Sequence, residues 1–284
     1  MSSLPALVGV KDPVGLSVLR TLRFGLRRLW RLLALAAILA WSILDLLFTR
    51  PSTRALRAQW LSRLCRRVIR LCHVTVTTIG PVPACGAVIS NHLSYVDIPV
   101  HAGARPCVFV SKIELCSTLI FGWISQMAGT IYVNRSSGRS ALQAGAGMAK
   151  GLRDNLPVVF FPEGTTGVGD LPTLPFHGGL IAMAIAADQP VIASFIHYEL
   201  TPEDLSRGKS IRDDVHWGSQ TLFRHVWNYF DLGALHATIR FAPEPILFSP
   251  AAITNRKIAA REAQAAVNAL ALAVQAPAQD RQVV

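Results

Sequence analysis

From residue 32 to residue 48 the chain is apolar at every position except Ser42 and Asp45. As a helix these seventeen residues reach about 25 Å at roughly 1.5 Å per residue, short of a ~30 Å hydrocarbon core. Arginines flank both ends, so the positive-inside rule gives no orientation. Thr49, Arg50 and Pro51 follow in place of a small-residue cleavage site, which separates the run from a secretory signal. A full span, a shallow or re-entrant anchor and a buried core helix all fit this pattern. Pro51 and Ser52 then break the chain. Leu61, Leu64, Cys65, Val68, Ile69 and Cys72 recur at helical spacing on one face, with Arg63, Arg66, Arg67 and Arg70 in a separate stripe. That pattern suits an interfacial helix with its arginines at lipid phosphates, and also an amphipathic helix packed on a domain. Residues 1–75 are read as membrane-anchoring helices.

Beyond residue 74 the period changes. Short β-prone runs at 74–79, 87–90, 107–110, 130–133, 158–161, 191–198 and 237–241 alternate with helical stretches near 97–102, 117–127, 140–153 and 178–187. An Ala-rich helix at 256–274 closes the chain. Such alternation predicts an α/β domain over 76–284, its sheet mixed and largely parallel and flanked by helices.

Composition sharpens the membrane reading. Charged residues are only 16% of the 284, and 51% are hydrophobic, more apolar surface than a soluble domain of this size needs. The formal net charge is +11, carried mostly by Arg gathered around the apolar run. Basic surfaces meet phosphate, and this placement favours lipid headgroups or a phosphorylated substrate. No zinc finger, RNP motif or basic zipper is present, which argues against nucleic acid. Cys65, Cys72, Cys85, Cys107 and Cys116 form no CxxC pair, as expected for reduced thiols in a catalytic domain facing the cytoplasm.

Candidate chemistry begins at Asn91-His92-Leu93-Ser94-Tyr95-Val96-Asp97, directly after the strand at 87–90. A His and a carboxylate five positions apart can meet where a strand end turns into a helix. The imidazole then takes a proton from a hydroxyl, and the carboxylate fixes the tautomer. Alone the spacing means little: with 8 His and 17 acidic residues in the chain, chance supplies about half a pair. The second segment, Phe160 to Gly167, reads Phe-Phe-Pro-Glu-Gly-Thr-Thr-Gly. Its glycines let backbone approach a ligand, and Glu163 beside an apolar strand end must pair or bind something.

Together these segments resemble the glycerolipid acyltransferase family, which includes 1-acylglycerol-3-phosphate acyltransferases. The family's NHxSxxD is matched by Asn91, His92, Ser94 and Asp97, and its FPEGT by Phe161 to Thr165. Val110 to Leu115 is similar to its VxKxEL stretch, Gly129 to Arg135 to its strand ending in an Arg, and Pro190-Val191-Ile192 to its last motif. The resemblance implies that fold, and His92 as general base oriented by Asp97. It also implies that Lys112, Arg135 and the Glu163-Gly164-Thr165 loop bind the acceptor. The donor would be acyl-CoA or acyl-carrier protein, the acceptor a lysolipid, and the product most simply phosphatidic acid. No metal or other cofactor is implied.

Two departures weigh on the acceptor. Thr166 stands where many members carry Arg, and His177 stands in Phe176-His177-Gly178-Gly179 where many carry a fixed cation. Each removes a charge that meets phosphate, which keeps a lyso-ornithine lipid or another lysophospholipid open as acceptor. A catalytically silent lipid binder is the alternative from another class. Trp217, Trp227 and Tyr229 suit an acyl pocket, the membrane interface or plain core. Gly145-Ala146-Gly147 and Gly208-Lys209-Ser210 fail as nucleotide loops by spacing, and GxSxG is absent. Arg-rich, Lys-poor, Ala-rich composition suits a bacterium with GC-rich DNA, for which the cytoplasmic face of an inner membrane is the expected location.

Overall fold

The computed structural model describes residues 14–133, 148–272 and 281–283. Helices α1 (Val14–Thr49) and α2 (Arg54–Leu71) precede β1 (Val74–Ile79), β2 (Ala87–Ser90), α3 (Asp97–Ala104), β3 (Val108–Lys112), α4 (Leu119–Met127) and β4 (Ile131–Val133). A helical stretch described over 148–153 (α5) leads to β5 (Val158–Phe160), α6 (Gly178–Ala186) and β6 (Val191–Leu200). Then follow α7 (Pro202–Ser206), α8 (Leu222–Tyr229), β7 (Leu235–Phe241), α9 (Pro250–Thr254), α10 (Arg256–Leu272) and β8 (Arg281–Val283).

The eight strands form one sheet in the order β4-β3-β5-β2-β6-β7-β1-β8. The pairs within β4-β3-β5-β2-β6 and the pair β7-β1 are parallel; β6-β7 and β1-β8 are antiparallel. β2 therefore lies mid-sheet between β5 and β6. Its residues are buried on both faces: Val88 joins the core on the α2-α3 side, and Ala87 and Ile89 join the core under α6 and α10. β5 does the same with Val159 on one side and Val158 and Phe160 on the other. Double burial explains why these strands read as unbroken apolar runs rather than as alternation.

The N-terminal helices correct one boundary and close one alternative. Helix α1 begins well before the apolar run: a membrane-length stretch covers Leu22–Thr49. Three arginines ahead of Leu32, on this helix, are received by the turn after α8. Arg31 is buried and donates to the Phe230, Leu232 and Gly233 carbonyls at 3.1, 2.6 and 3.1 Å. Arg27 donates to the Asp231 carbonyl, and Arg28 pairs with the Asp231 carboxylate at 3.2 Å. Near its other end Asp45 holds Arg63 of α2 in a two-bonded fork, and Trp60 Nε1 donates to the Ser42 carbonyl at 2.9 Å. Pinned at both ends, α1 runs along the domain. Leu22, Leu26, Leu29, Trp30, Leu33, Trp41, Leu44 and Leu47 remain exposed on it. Helix α2, capped by Thr53 accepting from the Leu56 amide, buries Trp60, Leu61, Leu64, Cys65 and Ile69 in the core it shares with α3. Its apolar face thus meets protein, as an amphipathic helix packed on the domain.

Candidate active site

Parallel sheets bind ligands beyond the carboxyl ends of their strands, and β2 and β5 deliver both candidate segments there. Past Ser90 the ladder stops, yet Asn91 prolongs it with its side chain. Its Nδ2 donates to the Ile196 carbonyl at 3.0 Å and its Oδ1 accepts from the Ile196 amide at 2.8 Å. The side chain stands in for a peptide unit and fixes where the loop leaves the sheet.

The loop then winds around Asp97, the first residue of α3, whose carboxylate is wholly buried. Its Oδ2 accepts from His92 Nδ1 at 2.7 Å, from the Leu93 amide at 2.7 Å and from the Ser94 amide at 3.0 Å. Its Oδ1 accepts from the Tyr198 hydroxyl at 2.7 Å. Four donors meet a group whose burial would otherwise be costly. Because a carboxylate only accepts, the His92 proton sits on Nδ1, and Nε2, without a partner among the described residues, has a lone pair to take another.

The His92 ring lies on Phe161, centroids 4.1 Å apart and planes within 13°. Behind Phe161 stands buried His101, edge-on to it at 6.0 Å. Burial pushes the His101 imidazole down to about 4, so it is neutral at physiological pH and adds no second charge beside the dyad. The backbone of His92 is clamped as well: its amide donates to Glu163 Oε1 at 2.8 Å, and its carbonyl accepts from the Gly167 amide at 2.7 Å. Two glycines make this clamp feasible. Gly164 turns with φ +70°, in the left-handed region, and a Cβ on Gly167 would sit 2.9 Å from Glu163 Oε2.

Glu163 is 4% exposed, and burial pushes its carboxyl up to about 7 against the opposing pull of the His92 amide bond. The folded protein therefore holds a proton that the unfolded chain releases at lower pH. The stability this proton confers is complete below the ordinary glutamate range and is lost as pH rises through about 7. Glu163→Gln keeps an acceptor for the His92 amide and cannot ionise. Its melting temperature is expected to fall less than the parent's between about pH 5 and pH 8, measured by thermal scans. Parallel curves would remove the ionisation of Glu163 from the account.

The other residues singled out by sequence are placed less intimately. Lys112 ends β3, exposed, at the same end of the sheet; β5 lies between its strand and β2. Thr165 is exposed beside Gly164, and Arg135 lies outside the described residues, as do Gly145-Ala146-Gly147. Thr166 donates its hydroxyl to the Trp217 carbonyl at 2.7 Å, and the Trp217 amide donates to the Leu93 carbonyl at 3.1 Å. The 217 segment thus bridges the loop after β2 and the loop after β5. Tyr229 is core, and Trp227 lies under the Arg28 guanidinium at 5.4 Å. Tyr198 and Asn91's bond to Ile196 escaped the sequence reading; the one signal for Tyr198 is a phenol on a buried central strand, where its hydroxyl must find a partner.

Comparison with known proteins gives four findings. A family model described as Acyltransferase matches residues 73–197. The lyso-ornithine lipid O-acyltransferase of Pseudomonas aeruginosa is 31% identical over 234 residues, covering 81% of this chain and 84% of that one. The 1-acyl-sn-glycerol-3-phosphate acyltransferase of Neisseria gonorrhoeae is 35% identical over 111 residues, 39% of this chain and 43% of that one. Among solved structures, the 1-acyl-sn-glycerophosphate acyltransferase of Thermotoga maritima has the same fold, with a TM-score of 0.60 at 16% identity over 92% of this chain and all of that chain.

Proposed function

The chain belongs to the acyltransferase family, and on that premise we propose that it moves a fatty acyl group from a thioester to the free hydroxyl of a lysolipid, with a lyso-ornithine lipid as acceptor ahead of 1-acylglycerol-3-phosphate. The observation that carries the chemistry is the His92 Nδ1–Asp97 contact, with Nε2 unpartnered among the described residues. Nε2 takes the hydroxyl proton as the acceptor oxygen attacks the thioester carbonyl. The C–S bond then breaks, and the departing thiolate takes that proton from the imidazolium, which Asp97 stabilises meanwhile. No covalent acyl-enzyme is needed. Lys112, Arg135 and the Glu163-Gly164-Thr165 loop are proposed to hold the acceptor headgroup at the same end of the sheet.

Thr166 supports the choice of acceptor. Its hydroxyl is spent on the Trp217 carbonyl, so no side chain at that point offers a cation to a phosphate monoester. The long match to a lyso-ornithine lipid enzyme supports the same reading. The exposed apolar row of α1 supports attachment to the membrane that carries such an acceptor. The five cysteines, all unpaired, support a reducing environment at the cytoplasmic face of that membrane.

A panel of acceptors tests the proposal: membranes carrying the protein are given labelled acyl-CoA or acyl-carrier protein with lyso-ornithine lipid, 1-acylglycerol-3-phosphate or a lysophosphatidylcholine. Transfer is expected to be fastest to lyso-ornithine lipid. Preference for 1-acylglycerol-3-phosphate would overturn the acceptor and keep the reaction. Absence of transfer to every acceptor from both donors would overturn the enzyme reading in favour of a silent lipid binder.

A further inference from the structure

A cavity of about 670 Å³ opens where α6 and α10 both begin, lined by His177, Gly178, Gly179, Arg256, Lys257 and Arg261. It adjoins the candidate site: the His177 amide donates to the Pro162 carbonyl at 2.8 Å, and the next residue, Glu163, holds the His92 amide. Its lining is one-sided in charge, with Arg256, Lys257 and Arg261 all exposed. Helix N-termini carry partial positive charge and favour carboxylates, yet α10 has no acidic residue in its first turn and places Arg256 and Lys257 there. Arg261 follows one turn later. Glu262, the nearest carboxylate along the helix, is committed to the Ser249 amide and hydroxyl at 3.0 and 2.6 Å. The three cationic heads have no ion pair or hydrogen bond among the described residues. His177 gives nine-residue α6 no side-chain cap where it begins at the cavity wall.

Uncompensated like charge beside two helix N-termini, around a nucleotide-sized cavity, is an arrangement that an anion completes. Resting on the reading of the protein as an acyl-thioester-using enzyme, we propose that this cavity binds the phosphate-bearing nucleotide end of acyl-CoA. Arg256, Lys257 and Arg261 meet its phosphates there, while the pantetheine arm runs past Pro162 to the thioester at His92. The charge absent at Thr166 and His177 in the loops is supplied here from α10, for the donor rather than the acceptor.

The test uses the full-length protein in detergent and a triple variant, Arg256→Ala, Lys257→Ala, Arg261→Ala, with the single Lys257→Gln as a milder control of folding. Without ligand the triple variant is expected to melt at or above the parent's temperature, since repulsion is relieved. Desulfo-CoA, which has the nucleotide but no thiol, should raise the parent's melting temperature and leave the variant's unmoved. In turnover the variant's KM for acyl-CoA should rise about tenfold or more, with kcat at saturating donor within about twofold and the acceptor KM unchanged. Equal stabilisation of both proteins by desulfo-CoA, an unchanged donor KM, or a rise confined to the acceptor KM would each overturn the proposal. If no acceptor is ever turned over, the desulfo-CoA arm still decides the cavity, separately from the enzyme reading.

Discussion

Replacing His92 by alanine is expected to lower kcat by about 10²- to 10⁴-fold, the range a positioned general base supplies, and to leave the protein folded. The catalytic part follows from the open Nε2: with the ring gone, a lysolipid hydroxyl has no acceptor for its proton at the moment it attacks. The folding part follows from where His92 is held. Its amide and carbonyl are bonded to Glu163 and Gly167, and both bonds survive truncation at Cβ. The ring contributes its stacking on Phe161, worth about 0.5–1.5 kcal/mol, and one bond to Asp97. That carboxylate keeps the Leu93 and Ser94 amides and the Tyr198 hydroxyl. Initial rates over a range of acceptor concentrations, with thermal melts on the same preparations, measure both parts. A His92→Ala protein that melts normally and turns over at the parent rate would refute the general-base role.

How much of this was readable beforehand differs by element. The central strands were legible because burial on both faces leaves no polar position to blur them, so Ala87–Ser90 and Val158–Phe160 stand out as apolar runs. Their order in the sheet was not, since β5 returns to lie beside β2 only after β3 and β4 have been placed, and nothing local encodes that neighbour. Helix α2 shows the limit of periodicity. An apolar stripe of the kind formed by Leu61, Leu64 and Cys65 serves lipid and protein alike, and only the contact with α3 decides. Arg31 shows a second limit. Five arginines before an apolar run read as an anchor's flank, yet Arg31 is buried because the turn after α8 leaves three carbonyls for a guanidinium to satisfy.

The candidate site divides along the same line. His92 and Asp97 lie five residues apart, so a strand end turning into a helix was enough to bring them together. Tyr198 completes the carboxylate from 101 residues away, beyond any local pattern. Glu163 was noticed because a charge beside an apolar strand end needs a partner. That its partner is the backbone of His92, joining the two motifs through the main chain, emerges only from the pairing of β2 with β5.

Asp97→Asn is expected to cost roughly 10²-fold in kcat/KM, less than the ~10⁴-fold seen when such a substitution turns the imidazole into its wrong tautomer. The surroundings dictate the difference. The atom at the Oδ2 position faces three donors: His92 Nδ1, the Leu93 amide and the Ser94 amide. An NH₂ placed there would meet all three, so the asparagine must turn its carbonyl to them and its NH₂ toward Tyr198. A phenol accepts as well as donates, and it can take that contact. The His92 proton therefore stays on Nδ1 and Nε2 remains the base. What is lost is the negative charge that stabilises the imidazolium as it forms, so kcat/KM falls while Nε2 keeps its role. Stability falls by about 1–3 kcal/mol, because the buried Tyr198 hydroxyl no longer has a carboxylate for its proton. Initial rates and a thermal melt on Asp97→Asn measure these together. An unchanged kcat/KM would mean that Asp97 holds the loop without acting on His92, and a loss near 10⁴-fold would mean that the tautomer had turned after all.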